Sequence, residues 1–458
     1  MAPPTAARRT LFRHPNFLRL WTAATVSLFG TSVTQIAIPF IAAVLLNASA
    51  GEVGLLTTID FLPFLLFTLP AGVWVDRFPK KRILVFGDLG RAVMLSTIPI
   101  AYALGSLTIW QLYVVGFVNG VMTVFFDVAD QSYLPTILER DELVEGNSKL
   151  QLSTSAAQIL GQPVGGGAVA LLSAPIAITI DAASYLVSAT LILSIRERLR
   201  SVIGGEPRVA AGEAAGTPSA EAAVEAERRT SREAGDGADE GRVGMRQQIV
   251  DGLRYITRHE YLGNIAATTA TSNLFSNIGF AIFPVYAYNV LRLTPAAVGT
   301  IGGLGGAGIL LGALVASRVQ KRLGVGRTII VTAALFGPIS LLLPLSTPET
   351  AFFLLGAAFF LSSVTNVLYN VSQVSLRQAI TPEHFLGRMN ATMRFLVWGT
   401  IPIGSLIGAG LAELVGVRAT IWVSSILSLF AFLPVLLSSV RSVQTIPSGE
   451  PDELRATA

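Results

Sequence analysis

The chain has 458 residues, of which 52% are hydrophobic and only 14% charged, with a net charge of +4 and a mean hydropathy of +0.60. That balance excludes an ordinary soluble domain and places the chain in a bilayer. Cysteine is absent, and His14, His259 and His384 stand in polar stretches without metal-ligand spacing; disulfides, thiol catalysis, metal sites and cofactors are therefore not indicated.

The N-terminal stretch "MAPPTAARRTLFRHPNFLRLW" is basic. The apolar run behind it is far longer than a signal-peptide core, which predicts a retained first helix. Apolar runs of about 20 residues, enough to cross ~30 Å of hydrocarbon, fall at roughly 20–46, 53–75, 83–104, 108–129, 151–173 and 175–195. A second set follows at roughly 264–289, 295–316, 327–346, 350–373, 391–414 and 417–439. The pattern predicts an all-α membrane protein of twelve transmembrane helices in two groups of six. Residues 1–199 form an N-terminal six-helix bundle, and 200–245 a cytoplasmic linker too rich in Ala, Glu, Gly and Arg to order itself. Residues 246–458 hold an amphipathic helix, a C-terminal six-helix bundle and a short tail. In "MRQQIVDGLRYITRHEYL", Ile249, Leu253, Tyr255 and Ile256 stand at helical spacing among charges. That segment either lies on the membrane surface or extends the seventh span.

Lys and Arg set the orientation, because positively charged loops stay cytoplasmic. The connections after the even-numbered spans carry Arg77, Lys80, Lys81 and Arg82, then Arg140, then Arg196, Arg198 and Arg200, then Arg318, Lys321, Arg322 and Arg327, then Arg377 and Arg388. The opposite connections carry Arg292 and Arg418 as exceptions. Both termini and the linker are expected in the cytoplasm. The halves also resemble each other: "DQSYLPTILERDELVEGNSKL" aligns with "SQVSLRQAITPEHFLGRMNAT", setting Gln131 over Gln373, Asp141 over Glu383, Leu143 over Phe385 and, after a gap, Asn147 over Asn390. "GALVASRVQKRLGVGRTII" echoes "GVWVDRFPKKRIL". Alternating-access transporters use such repeats, with substrate near the midplane between two rocking halves.

Gly72, Asp76, Arg77 and the basic run Lys80, Lys81, Arg82 resemble the G-x-x-x-D-R-x-x-[RK]-[RK] signature of the major facilitator superfamily. Finer resemblance is to its transmembrane secretion effector branch, the group with the enterobactin exporter and macrolide efflux proteins. It rests on "FLRLWTAATVSLFG", "LPFLLFTLPAGVWVDR", "QSYLPTILERDELVEGNSKL", "DAASYLVSA" and "GRMNATMRFLVWGTIPIGSLIGAG". The resemblance implies a secondary transporter that exports small drug-, macrolide- or siderophore-like amphipathic molecules in exchange for protons. It further implies that Asp76 meets the start of helix 11, whose positive dipole end suits a carboxylate. The expected partners are a small-molecule substrate, protons and the lipid bilayer of the plasma membrane, with no nucleic acid, for a monomeric chain.

Ionisable groups inside spans are costly and mark function by default. Asp60 and Asp181 are the candidates for proton coupling, with Gln35 at similar depth; the competing reading makes them anchors hydrogen-bonded to Gln35, Ser184 and Tyr185. Asp88 and Arg91, three residues apart, can pair on one helix face. With Asp127, Asp130, Asp76 and Arg77 they are candidates for a cytoplasmic charge lock made in one state. Two departures from relatives stand out: Gly116 in "LYVVGFVNG" replaces the arginine of the drug-antiporter signature, and Thr31 takes a place where relatives often carry aspartate. "GQPVGGG" (Gly161, Pro163, Gly165, Gly166) resembles an antiporter motif and is echoed by "PIGSLIGAG" (Pro402, Gly404, Gly408). Such small residues suit close helix contact between the halves, or plain packing.

Candidates for a substrate cavity are Gln35, Asp60, Phe64, Asn273, Asn277, Asn366, Tyr369, Asn370 and Trp398, because amide and aromatic groups in apolar helices orient amphipathic ligands. An importer or facilitator of nutrients, and a non-transporting sensor or scaffold, remain open alternatives. "GTIGGLGGAGILLG" lacks a following lysine and is no phosphate loop, so neither an ATP-driven pump nor an enzyme is indicated.

Overall fold

A computed structural model describes Leu11 and residues 14–75, 77–139, 142–195 and 254–444. Asp76, Asp141, the segment 200–245, Ile249 and Leu253, together with the side chains of Glu383, Phe385, Arg388 and Trp398, lie outside the described set.

The N-terminal half comprises α1 (Pro15–Phe40), α2 (Ala50–Val75), α3 (Lys80–Ala103), α4 (Ile109–Ile137), α5 and α6 (Ala174–Ser194). The rod α5 runs Leu143–Ala156, passes a π turn at Ala157–Gly161 and continues as Gln162–Leu172. The C-terminal half comprises α7 (Glu260–Phe280), α8 (Pro295–Leu323), α9 (Val325–Ser340), α10 (Ala351–Ile380), α11 (Glu383–Val415) and α12 (Val417–Ser428). Among the described residues nine helices are long and apolar enough to cross a membrane. The predicted positions outside those nine are α5, α7 and α11. For α5 the reason is visible in "LVEGNSKLQLSTSA", the polar stretch with which it begins.

Helix boundaries follow local chemistry. His14 accepts from the Phe17 amide (3.2 Å) ahead of Pro15 at the first helical position, and His259 accepts from the Tyr261 amide (3.3 Å) at the start of α7. Both histidines are thus helix caps. Residues 254–258 are helical, and a bend at His259 separates them from α7. At the other end of α6, Arg19 Nη1 donates to the Ser194 carbonyl (2.7 Å) and Lys81 Nζ to that of Ile195 (2.7 Å), so two cations close a helix C-terminus. Arg418, an exception to the charge rule, donates to the carbonyls of Pro344 (3.0 Å) and Ser346 (3.2 Å), capping a helix end in the same way.

The internal repeat is visible in the packing. In the first half α1 packs on α5 and α6, α2 on α4, and α3 on α4 and α6; in the second, α7 packs on α11 and α12, α8 on α10, and α9 on α10 and α12. Each half ends its first rod in a π turn, Ile41–Leu45 and Tyr286–Val290. Each also enters its last helix through a residue of positive φ, Ser173 (φ 72, ψ 150) and Gly416 (φ 86, ψ 159). The halves meet along two seams that the repeat interchanges, α2 with α11 and α5 with α8.

The apolar core is distributed unevenly between the two ends of the bundle. At the end holding the α1–α2 connection, one buried cluster joins both halves, from Val33, Ile41 and Leu56 to Tyr286, Leu355 and Ala412. At the end holding the start of α1, two clusters stay separate: one includes Phe17, Leu84 and Tyr133, the other Leu262, Ile329 and Val440. Among the described residues the halves share one buried apolar cluster at the first end and none at the other.

Candidate functional site

Asp60 projects from α2 against α4. A Cβ on Gly116 would fall on Asp60 Oδ1, and one on Gly120 would lie 2.9 Å from Pro63 Cγ and 3.0 Å from the Asp60 carbonyl. Gly116 and Gly120 are four residues apart, the small-residue spacing that lets two helices approach. The carboxyl of Asp60 fills the notch that an arginine at 116 would need, which gives the departure at that position a steric basis. No hydrogen bond or ion pair holds the Asp60 side chain among the described residues.

Asp181 has the opposite setting. It is 1% exposed, receives Thr34 Oγ1 at 2.5 Å and Ser184 Oγ at 3.1 Å, and sits against Gly30, where a Cβ would lie 2.6 Å from its Oδ1. It ties α1 to α6. Gln35 takes no part: its Oε1 accepts from Gln162 Nε2 (2.9 Å), across to α5. Thr31 bonds Tyr185 Oη (2.9 Å), so the Tyr185 contact expected of Asp181 is made by a neighbour on α1.

The predicted Asp88–Arg91 pair forms, with Arg91 Nη2 2.6 Å from Asp88 Oδ1, and both residues are buried. The guanidinium carbon lies 4.2 Å from the ring centroids of both Phe126 and Tyr185, a cation–π sandwich between α4 and α6. The charge lock is expected in one state and includes Asp76, which lies outside the described residues; Arg77 makes no ion pair among the described residues. Arg77 and Arg82 are exposed, Asp127 is exposed and Asp130 half-buried, and neither aspartate has an ion pair among the described residues. Asp88 and Arg91 lie two to three turns inside α3, which packs against α4 and α6. Lys80 Nζ donates to the Ser132 carbonyl (3.2 Å), so Lys80 and Lys81 fasten helix ends. Gly72 is half-buried with open space where a Cβ would be.

The glycine motif divides between two tasks. Gly161 and Gly165 pack on Ser32 of α1, and Gly404 and Gly408 pack on Leu274, Asn277 and Ile278 of α7, all contacts within a half. Gly166 and Pro163 face the other half: a Cβ on Gly166 would meet the Pro295 carbonyl and lie 3.0 Å from Gly299 Cα, and one on Gly303 would lie 2.5 Å from Pro163 Cγ. Pro402 lies within α11, on the repeat-related helix. At the α2–α11 seam Glu413 Oε1 accepts from the Gly51 amide (2.7 Å). Phe40 and Tyr288 meet edge to face at 5.0 Å, and Asn289 Nδ2 donates to the Ala43 carbonyl (3.0 Å).

A cavity of about 1110 Å³ is lined by α7, α9, α10, α11, α12 and the short segment after α7. Of the candidate residues, Asn273, Asn277, Asn366, Tyr369 and Asn370 line it, whereas Gln35, Asp60 and Phe64, in the other half, do not. Tyr369 Oη bonds Thr269 Oγ1 (2.8 Å), and Asn370 Oδ1 accepts from Gln373 Nε2 (3.0 Å). Phe283 with Phe359, and Phe336 with Tyr369, supply aromatic walls at centroid separations of 5.3 and 5.5 Å.

The sequence reading missed Gln373, Asn390 and Arg377 as lining residues. Arg377 was assigned to a cytoplasmic connection, yet it belongs to the last turn of α10 and is 7% exposed. The signal was available: 369, 373 and 377 recur every four residues, one face of a helix.

The family profile described as Major Facilitator Superfamily matches residues 20–398 and, separately, 265–456. The chain is 25% identical to the multidrug efflux pump Tap of Mycolicibacterium fortuitum, over 94% of this chain and 95% of that one. It is 21% identical to macrolide efflux protein A of Streptococcus pyogenes, over 88% and 90%. Among solved structures it superposes on a bacterial homologue of the iron transporter ferroportin with a TM-score of 0.70 at 15% identity, covering 95% of this chain and all of that one. It superposes on the nucleoside transporter NupG with a TM-score of 0.68 at 11% identity, covering 92% and 99%.

Proposed function

Because the chain belongs to the major facilitator superfamily and is therefore a multi-pass membrane transporter, not an enzyme, we propose that it exports small amphipathic compounds by proton-coupled alternating access. The observation that carries this reading is the uneven core, one cluster shared by both halves at one end and two separate clusters at the other. That is the form of a rocking transporter halted in one state. With Lys and Arg on the parted side, the open end faces the cytoplasm, along with both termini and the linker 200–245 between the six-helix halves. A site open to the cytoplasm is where an exporter loads its cargo.

The efflux direction and the drug-like cargo are supported by the likeness to Tap and macrolide efflux protein A, and by a cavity that mixes amides with aromatic walls. Asp60 is the coupling residue: its carboxyl has no bonded partner among the described residues and lies at the α2–α4 crossing of the half opposite the cavity. Asp181, held by two hydroxyls, is the anchor. In the outward-open state Asp76 latches the first half to the start of α11.

Everted membrane vesicles carrying the chain should accumulate an amphipathic fluorescent compound, such as a rhodamine with a free carboxylate, when their interior is acidified. Asp60→Asn should abolish that accumulation at unchanged protein level. Accumulation that survives collapse of the proton gradient, or full activity in Asp60→Asn, removes the coupling claim.

A further inference from the structure

We propose that the cavity in the C-terminal half holds an oxyanion at Arg377, so that the cargo is an amphipathic acid or zwitterion bearing a carboxylate, sulfonate or phosphate. This deepens the exporter reading and rests on it for the word cargo.

Among the described residues Arg377 is the single charged side chain in the cavity lining and has no carboxylate within ion-pair distance; it is 7% exposed. Among the described residues its Nε is buried without a hydrogen-bond partner, and so is Oε1 of Gln373 one turn earlier on the same helix. A buried cation without a counter-charge is expensive. A guanidinium presents a planar fork of donors matched to an oxyanion's two oxygens. Asn370, Gln373 and Asn390 share its cavity and are amides, which can donate to a second oxygen without competing for the charge. Toward the start of α10 the lining turns aromatic, with Tyr369 against Phe336 and Phe359 against Phe283. From Phe359 to Arg377 is 18 residues of helix, or about 27 Å at 1.5 Å per residue. The cavity therefore has a cation toward one end of α10 and aromatic rings toward the other, with serine and asparagine side chains among them, a lining that suits an amphipath with a polar body.

The test uses the full chain in nanodiscs of zwitterionic phosphatidylcholine and two probes, a rhodamine bearing a free carboxylate and its ethyl ester, with binding read by fluorescence anisotropy. The acid should bind wild type at least tenfold more tightly than the ester, and Arg377→Gln should remove that preference. Gln373→Glu, nearly isosteric, supplies an internal carboxylate one turn from Arg377 and should remove it too, which keeps the test decisive where Arg377→Gln fails to fold. Equal binding of acid and ester by wild type, or a preference that survives in either folded variant, overturns the proposal. Competition separates the sources of the anion: displacement of the acid by benzoate marks a soluble cargo, displacement by added phosphatidylglycerol marks a lipid headgroup, and displacement by neither overturns the site. An acid preference without gradient-driven accumulation in proteoliposomes keeps the anion site and removes the exporter reading. Accumulation without the preference does the reverse.

Discussion

Gly299→Ala sets a methyl group between two backbones at the α5–α8 seam. The new Cβ would fall on the carbonyl oxygen of Gln162 and lie 3.0 Å from Cα and 3.1 Å from N of Gly166. Carbon atoms rest at about 3.5–4.0 Å, so the two helices must part by roughly 0.5–1 Å. Neither neighbour is a side chain that can rotate away, and overpacking of this kind costs about 1–3 kcal/mol. The cost falls on the state in which the seam is closed. It is relieved where the seam opens, so the equilibrium should move toward the outward-open form by roughly 5- to 150-fold. The chain has no cysteine, which makes a single introduced thiol a clean reporter. Ala43 is fully buried where Asn289 reaches across from the other half. Ala43→Cys should therefore react slowly with a membrane-impermeant maleimide, and faster by that factor when combined with Gly299→Ala. Gly167→Ala, on the partner helix α5 beside Gly166 but with nothing within 4 Å of its Cβ, should leave the rate unchanged. Equal labelling of all three proteins would refute the argument that this seam controls outer access.

Asp88→Asn leaves Arg91 buried without its counter-charge and should cost about 3–5 kcal/mol, read as a large drop in Tm in detergent; the double variant with Arg91→Gln should regain most of it, and additive losses would deny the coupling. Gly116→Ala presses a methyl on the flexible end of the Asp60 side chain, so Tm should change little while the pH of half-maximal transport moves. Ser173 holds a backbone conformation at φ 72, ψ 150 that favours glycine and costs about 1–3 kcal/mol elsewhere. Ser173→Gly should accordingly raise Tm, and a lower Tm would mean that the Ser173 side chain contributes more than the strain removes.

Local chemistry was legible in the sequence. Runs of apolar residues marked helices, because a backbone in hydrocarbon must satisfy its own hydrogen bonds. Asp88 and Arg91 paired as their spacing of three requires, and the small-residue motifs announced close packing. Which helix each group would meet was not legible. Lipid is as apolar as a bundle core, so most of these helices carry no polar stripe that reveals their inward face; α10, with Tyr369, Gln373 and Arg377 at four-residue spacing, is an exception. Asp181 found Thr34 in place of Gln35, Gly165 turned to α1 and Gly166 to α8, and Arg377 left a supposed loop to line a cavity. Each depends on the rotation of one helix against another more than a hundred residues away in the chain, or on the depth at which a helix ends. The sequence by itself determined that the chain crosses a membrane in a twofold-repeated helical pattern with its cations on one side. Tertiary structure alone decided which end is closed, which aspartate is held and which is bare, and where a buried cation meets the cavity, because those follow from contacts between helices and not from periodicity within them.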